Sequence, residues 1–330
     1  MLLFGTALCW GSSFAFIKIA VEDGVHPLLL MVLRCTIGAV LLWIAVFWMR
    51  ARTRRIDLQE GRVARPHARH WPHLLANGVM TGVPLFLMGV GERSVDSGLA
   101  GVANASVPLW AALLAVRWDA QHRTTATRWV GAAIGFVGVV LLIAVRGSIG
   151  GSGESGGLLA IAAAAFIYAV SGIYTRERLN DVPSVEVAAW AVTWGAALFA
   201  VPAFVFWTPS SLPSTAALVS ILLLGVLGTF GGFLLYYELL HRVGAARATL
   251  VTYLMPPMAL VYGALLLNEP TRPESLVALA LILVGVWIGS RGTGGVDVPA
   301  TGLPLPSEYP TAPQAVRSRA ADAAAAPGET

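Results

Sequence analysis

SVDSGLAGVANASVPLW, residues 94–110, lies on RVGAARATLVTYLMPPM, residues 242–258, at a constant offset of 148. Val95 then meets Val243, Ala100 meets Ala248 and Pro108 meets Pro256; further back, Thr81 meets Thr229. The apolar stretches that follow, WVGAAIGFVGVVLL (129–142) and LVALALILVGVWIG (276–289), match after a slip of one residue. A second offset, 158, sets ALCWGSSFAFIK (7–18) over FIYAVSGIYTR (166–176), so that Trp10 meets Tyr168, Ser13 meets Ser171 and Lys18 meets Arg176. Helical halves can share Gly and Ala through packing alone. The common order of the matches and the aligned prolines go beyond that and mark an internal duplication.

The duplicated material is apolar. Hydrophobic residues make up 56% of the 330 and charged residues 12%, against about 25% charged in a typical soluble domain. Mean hydropathy is +0.72. A water-soluble globule cannot hide so much apolar surface, because part of it must face solvent. The apolar residues fall in blocks near the roughly 20 that a helix needs to cross a bilayer. They predict spans at 2–21, 28–48, 73–91, 97–116, 129–146, 157–175, 185–206, 217–240, 245–267 and 275–290. Without strict alternation of polarity these are helices, not barrel strands. Residues 1–21 lack a Lys or Arg ahead of the apolar run and read as a retained first span, not a cleaved signal. Cys9 and Cys35 fall inside spans and have no metal or disulfide spacing. The expected class is all-α integral membrane.

The arginines set the orientation. With the N-terminus in the cytoplasm, fifteen arginines fall in inner segments, from Arg50 to Arg291, and only Arg93, Arg146 and Arg272 fall outside. The positive-inside rule selects N-in, C-in and an even number of spans. The net charge of +4 therefore reports topology and not nucleic-acid binding. The Gly/Ser-rich segment 147–157, GSIGGSGESGG, reads as a flexible outer linker between two five-span halves, 1–146 and 158–291. Residues 292–330, rich in Pro, Ala and Gly, read as a disordered cytoplasmic tail. An odd number of spans per half makes the second copy enter the membrane in the opposite direction. Such inverted repeats are an architecture of secondary transporters, with the site near the midplane between the halves.

Polar groups within the spans are the candidates for chemistry. A charge at the centre of a span costs about 2.5–3.5 kcal/mol on insertion scales. Arg34 either meets a substrate carboxylate or an internal acid, or snorkels to headgroups. Lys18, four residues before Glu22 on one helix face, has the same two readings. Glu238, beside Tyr236 and Tyr237, is either a carrier of a coupling proton or an interfacial acid near Arg242. Glu92, at the end of the third span, reads as interfacial. Trp10 and Ser13, Asn104, Tyr168 and Ser171, and Tyr253 are the candidate substrate-binding residues, with Pro108 and Pro256 as hinges, because a proline frees a helical carbonyl. No HExxH, GxSxG, paired-Cys or Walker-type motif occurs, so no catalytic residue, metal, cofactor or ATP site is expected. Two rival readings are a membrane-embedded enzyme on lipid-linked substrates and a non-transporting scaffold.

Together ALCWGSSFAFIK, LRCTIGAVLL (33–42), GLAGVANASVPLWAALLA (98–115), YYELLHRVGAARATLVTYLMPPMALVYGALLLNEP (236–270) and LALILVGVWIG (279–289) resemble the drug/metabolite transporter superfamily, and within it the EamA-type permeases. The resemblance spans roughly residues 1–290. It implies ten transmembrane helices as two inverted five-helix repeats around a central cavity. It also implies gradient-driven transport, often export, of amino acids, related metabolites or drugs. Such permeases often carry an acidic residue after the fourth and ninth spans. Glu269 fits that pattern, whereas the first half has Gln121, and MPP (255–257) replaces a single proline. The implied partners are a small-molecule substrate and the bilayer of a bacterial-type inner membrane; a homodimer is compatible with the sequence. Reporter fusions after residues 60, 120, 180, 244 and 300 should read cytoplasmic, and fusions near 24, 95, 152, 210 and 272 external. A change of parity across 147–157 would contradict the inverted repeat.

Overall fold

The computed structural model describes residues 1–60, 70–118, 126–180, 182–206, 213–243 and 251–291, and these are helices and short turns. The first half contributes α1 (Leu2–Glu22), α2 (Pro27–Glu60), α3 (Trp71–Gly91), α4 (Ser97–Asn104) and α5 (Val107–Trp118). Then come α6 (Ala126–Arg178), α7 (Ser184–Val205), α8 (Thr215–Leu223), a π-helical segment (Leu224–Gly231), α9 (Gly232–Val243), α10 (Val251–Leu267) and α11 (Pro273–Arg291). Seven helical stretches among the described residues are long and apolar enough to cross a bilayer, and Val251–Leu267 and Pro273–Ile288 are shorter apolar helices. Large apolar side chains such as Val40, Ile44, Phe47, Val140, Phe204 and Leu265 are exposed on the bundle's outside. A water-facing surface would not carry so many, and a lipid-facing one should. The chain is an all-α, multi-pass membrane protein.

Four local features depart from ten uniform spans. The stretch 97–116 is two helices, α4 and α5, broken at Ala105–Ser106. Pro108 has no N–H for the Asn104 carbonyl, and the Ser106 hydroxyl closes the break by donating to Ala103 O at 2.8 Å. The segment 147–157, expected to be a flexible linker, is helical on both sides of Gly151. That residue alone turns the corner in α6, at φ 77° and ψ −167°, a backbone conformation open to glycine. α2 runs on to Glu60, past the expected end of its span. The eighth span contains the π segment LGVLGTFG, in which Thr229 Oγ1 donates to Leu224 O at 3.1 Å. The tail from 292 and Gln121 lie outside the described residues.

Packing across the halves goes through small residues. Gly11 faces Met255, Met258 and Ala259 of α10; Gly98 and Gly101 face Leu260 and Ala259. Gly78 and Gly82 of α3 meet Trp194, Gly195 and Phe199 of α7, while Gly91 meets Gly157 and Ile161 of α6. Gly225 and Thr229 of the π segment meet Ile37 and Gly38 of α2. Small residues let helices approach closely where lipid supplies no hydrophobic drive to associate. Val139, Leu142, Ala278 and Ile282 help form the larger buried core where α6 meets α11.

The two ends of the bundle differ. One holds Glu22, Glu92, Asp96, Glu154, Glu269 and Glu274, and is called the acidic end below. The other carries Arg50 and the Trp43, Trp71, Trp190 and Trp194 cluster, where Arg50 binds Glu186 through two bonds of 2.9 and 2.7 Å. A close approach of α6 and α11 is required at Gly285, where an added Cβ would lie 2.5 Å from Gly131 O and Gly135 N. Backbone atoms cannot rotate aside, so Gly285→Leu should destabilise the fold by about 1–3 kcal/mol. Gly156→Ala, with nothing within 4 Å of its Cβ, should be neutral. Thermal unfolding in detergent checks the pair; equal melting temperatures would contradict this packing.

Candidate substrate cavity

A cavity of about 140 Å³ lies in the middle of the bundle, walled by helices from both halves. On the measure by which one water needs about 10–15 Å³, it holds about ten waters, room for a small organic solute of amino-acid size. α1 contributes Trp10, Ser13, Phe14 and Ile17, two successive turns of one face. α3 contributes Thr81, Leu85 and Met88, and α6 contributes Tyr168 and Ser171. The break between α4 and α5 brings Asn104, Ala105 and Pro108 to the wall; the π segment brings Gly228 and Thr229. Thr252, Met255 and Pro256 come from α10.

Arg34 of α2 is the charged group on this wall. It is 6% exposed, and its Nε has no hydrogen-bond partner. Among the described residues no carboxylate lies within 4.0 Å of it. Gly228 lies beside it and makes room for Ser13: a Cβ there would collide with Ser13 Oγ, and would meet Arg34 Nη2 only at ordinary contact, 3.6 Å. A guanidinium cannot shed its charge by deprotonation, so an unpaired one facing a cavity favours an anion. The rest of the wall is mostly aromatic and aliphatic, suited to the apolar body of such an anion. Asn104 Oδ1 is buried without a partner and is a free acceptor on the same wall.

Behind the cavity, Asn77 of α3 is 1% exposed and its Oδ1 accepts from Ser171 Oγ at 3.1 Å and Thr175 Oγ1 at 3.0 Å. This fixes α6 against α3 at the height of the site. Ser12 and Ser13 donate back to Cys9 O at 3.0 and 3.2 Å, as hydroxyls in membrane helices commonly do. Tyr174 pairs with His73 at 2.7 Å and is not part of the wall.

At the acidic end several ties cross between elements. Glu269, after α10, caps the N-terminus of α4 from the other half: it accepts from Ser97 N at 2.7 Å, Ser97 Oγ at 2.9 Å and Gly98 N at 3.0 Å. Arg146, expected as a lone outer arginine, is buried and binds Glu154 at 2.6 Å, Glu274 at 3.4 Å and Asp96 at 3.9 Å. Asp23 accepts from Ser214 N at 2.7 Å, joining α1 to the start of α8. The crevice between Glu269 and Arg146 has room for about one water, at about 10 Å³. Lys18 is buried, pairs with Glu22 at 3.3 Å and donates to the backbone oxygen of Glu92 at 3.0 Å. Glu92, the residue after α3, is itself fully buried, not interfacial. Burial pushes its carboxyl well above the usual range; the Lys18 and Arg34 charges pull it back, and Glu269 pushes it further up.

Trp10, Ser13, Arg34, Asn104, Tyr168, Ser171, Pro108 and Pro256 all come together on this one wall. Two candidates do not. Tyr253 is off the wall and its neighbour Thr252 is on it. Glu238, the proton-carrier candidate, is exposed and bound to Arg242 at 2.6 Å, one turn away on α9. Sequence reasoning passed over Thr81, Thr229, Gly228, Asn77 and the burial of Glu92. The 148-residue offset held the signal for four of the wall positions: Thr81 pairs with Thr229, and Asn104 pairs with Thr252. Among the described residues no three His, Cys, Asp or Glu side chains gather as metal ligands do.

Comparison with known proteins bears on most of the chain. A terminal-alkyne amino-acid exporter from Streptantibioticus cattleyicolor, described as "Probable", is 30% identical over 88% of this chain and 92% of its own length. The inner membrane transporter YedA of Escherichia coli, described as uncharacterized, is 26% identical over 88% and 90%. A crystal structure of a protein 22% identical in sequence superposes with a TM-score of 0.58, covering 88% of this chain and 96% of that one, a likeness of fold. The model of the EamA-like transporter family matches residues 1–144 and 155–291. The chain belongs to the EamA-like transporter family.

Proposed function

We propose that this protein is a secondary transporter that exports a small carboxylate-bearing metabolite of amino-acid size, by alternating access and without ATP hydrolysis of its own. The observation that carries the reading is Arg34: a buried guanidinium on a mostly apolar cavity wall, with no carboxylate of the described chain beside it. The substrate's carboxylate supplies the missing partner, and Trp10, Phe14 and Tyr168 receive its apolar body. The similarity to a relative named as an amino-acid exporter supports the same class. The membrane-enzyme rival would need a cluster of reactive polar groups at the site, and this wall offers one arginine among amides and hydroxyls. The protein is placed in the inner membrane with both termini in the cytoplasm, so the acidic end faces outward, in line with the arginine bias.

Ten spans in two inverted halves are supported by how repeat-related residues are used. At offset 148, Thr81 and Thr229, Asn104 and Thr252, and Pro108 and Pro256 all reach one cavity. At offset 158, Trp10 and Tyr168, and Ser13 and Ser171, do the same; continued into the next helix, that offset pairs Arg34 with Val192, also on the wall. Helix contacts obey the same exchange: α1 against α10 answers α6 against α4, and α3 against α7 answers the π segment against α2. Matched positions facing a common centre are what a two-fold axis through the cavity produces. Two such halves can trade conformations with little energetic difference, opening one end and then the other. In the conformer described, the acidic end is the tied one.

Two results are expected in proteoliposomes that contain only this protein, loaded with radiolabelled aliphatic and aromatic L-amino acids. Flux should follow an imposed substrate or ion gradient, with no response to ATP. Arg34→Ala should insert normally and lose flux, and Arg34→Lys should keep part of it, since a point charge replaces a planar fork. Pro256→Ala should slow turnover more than it weakens binding. Wild-type flux in Arg34→Ala, or flux that requires ATP, would contradict the reading.

A further inference from the structure

Glu92 is a buried titratable group that the substrate cavity does not use. Its side chain is 0% exposed, and neither carboxylate oxygen has a hydrogen-bond partner. It follows Gly91, so it stands one turn beyond Met88, which is on the cavity wall. The groups that face it come from several elements. From α1, Lys18 approaches but spends its ammonium on the Glu92 backbone oxygen at 3.0 Å and on Glu22 at 3.3 Å. From α2 comes the charge of Arg34, and from the segment after α10 that of Glu269. α6 meets the end of α3 through Gly157 and Ile161, its Glu154 being engaged by Arg146; α7 meets α3 through Trp194, Gly195 and Phe199, which are uncharged.

A carboxylate removed from water, without a donor at either oxygen, is unstable as an anion. Glu269 makes ionisation harder still. It accepts three hydrogen bonds at the α4 N-terminus. Burial without donors therefore favours the neutral acid at Glu92 while the acidic end is tied. The means of stabilising its anion are already next to it. A rotamer change would carry the Lys18 ammonium from the backbone oxygen to the carboxylate of the same residue. Opening the acidic end would admit the water that accepts the proton.

Resting on the proposed transport function, we infer that Glu92 is a proton-binding site coupled to transport. It is protonated while the acidic end is closed and releases its proton to water as that end opens, with Lys18 as the counter-charge that remains. In the step, the O–H bond of the Glu92 carboxyl breaks and its proton passes to a water molecule as hydronium. The carboxylate left behind takes the Lys18 ammonium as its partner, while Glu22, the more exposed of the two carboxylates, turns to water; the protein's charge falls by the one proton released. Reprotonation from the opposite compartment, after the acidic end has closed and the other end has opened, completes the cycle. A pH gradient across the membrane would then bias which end opens.

Two measurements on the full chain separate this site from the transport reading. Infrared difference spectroscopy of the purified protein should show a carboxylic-acid C=O band that persists at neutral pH, disappears on alkaline titration and is missing in Glu92→Gln. In proteoliposomes with the same labelled amino acids, Glu92→Gln, which mimics the protonated acid, should keep substrate exchange and lose accumulation driven by a pH gradient. Exchange retained by the variant also reports that it is folded. A neutral-pH spectrum identical in wild type and Glu92→Gln would overturn the inference, as would undiminished gradient-driven accumulation in the variant. A titrating Glu92 band together with no wild-type flux for any amino acid would instead sink the transport reading, and with it the coupling, while leaving the proton site in place.

Discussion

In hydrocarbon no water is available to a backbone N–H or C=O, so a chain that crosses a membrane must satisfy these groups itself. Nearly everything described in this protein is helix for that reason. The constraint gives the exceptions their meaning, because a helix can loosen at membrane depth only where its freed groups meet protein or an aqueous cavity. Pro108 releases the Asn104 carbonyl at the break between α4 and α5. Pro256 releases the carbonyl of Thr252, and the π segment Leu224–Gly231 shifts its bonding by one residue. All of these irregularities converge on one wall: Asn104, Thr252, Gly228 and Thr229 surround the same space. The same departures from regular helix that would be costly against lipid put polar groups on an otherwise mostly apolar wall.

The internal sequence match has both its pairs and its mismatches at that space. Thr81 and Thr229, Ser13 and Ser171, and Pro108 and Pro256, paired by the sequence offsets, line the same cavity and bring it no charge. Arg34 and its offset counterpart Val192 differ, and that difference puts one guanidinium on the wall. The acidic end is asymmetric as well. Glu269 of the second half caps α4 of the first, while the corresponding residue is Gln121, an amide that cannot hold a helix N-terminus with full negative charge. The Glu269 cap and the Arg146 cluster are charge-assisted ties at the acidic end, and the Arg50–Glu186 pair is one at the other.

Most of the wall was legible because its residues are polar or aromatic in otherwise apolar runs, and because the repeat gives each a partner. Trp10, Ser13, Arg34, Asn104, Tyr168 and Ser171 stand out for those reasons. Tyr253 misled by size: it is the conspicuous mid-span residue, but the side chain at the phase set by Asn104 is Thr252. A one-residue error is 100° around a helix. Glu238 misled because hydropathy gives depth along a span and not direction around it. Glu92 and Lys18 lie just where a span ends, a place that normally means contact with headgroups; only the packing of α1, α3 and α6 shows that this end is enclosed. Gly151 was read as slack, since composition cannot distinguish a flexible glycine from one that turns a single corner between two helices. The π segment has no sequence marker beyond its glycines.

Thiol accessibility from each side of the membrane addresses the shared cavity most directly. With Cys9 and Cys35, the native free thiols, replaced by serine, single cysteines at Ser13 and Ser171 can be probed in sealed, oriented vesicles with an impermeant maleimide. These two residues come from opposite halves and face one space. Both should label at matching rates, both should become protected by the same transported amino acid, and conditions that favour one open end should move their labelling together to that side. Protection of one without the other, or labelling of the two from opposite sides at once, would contradict a single central site shared by the two halves.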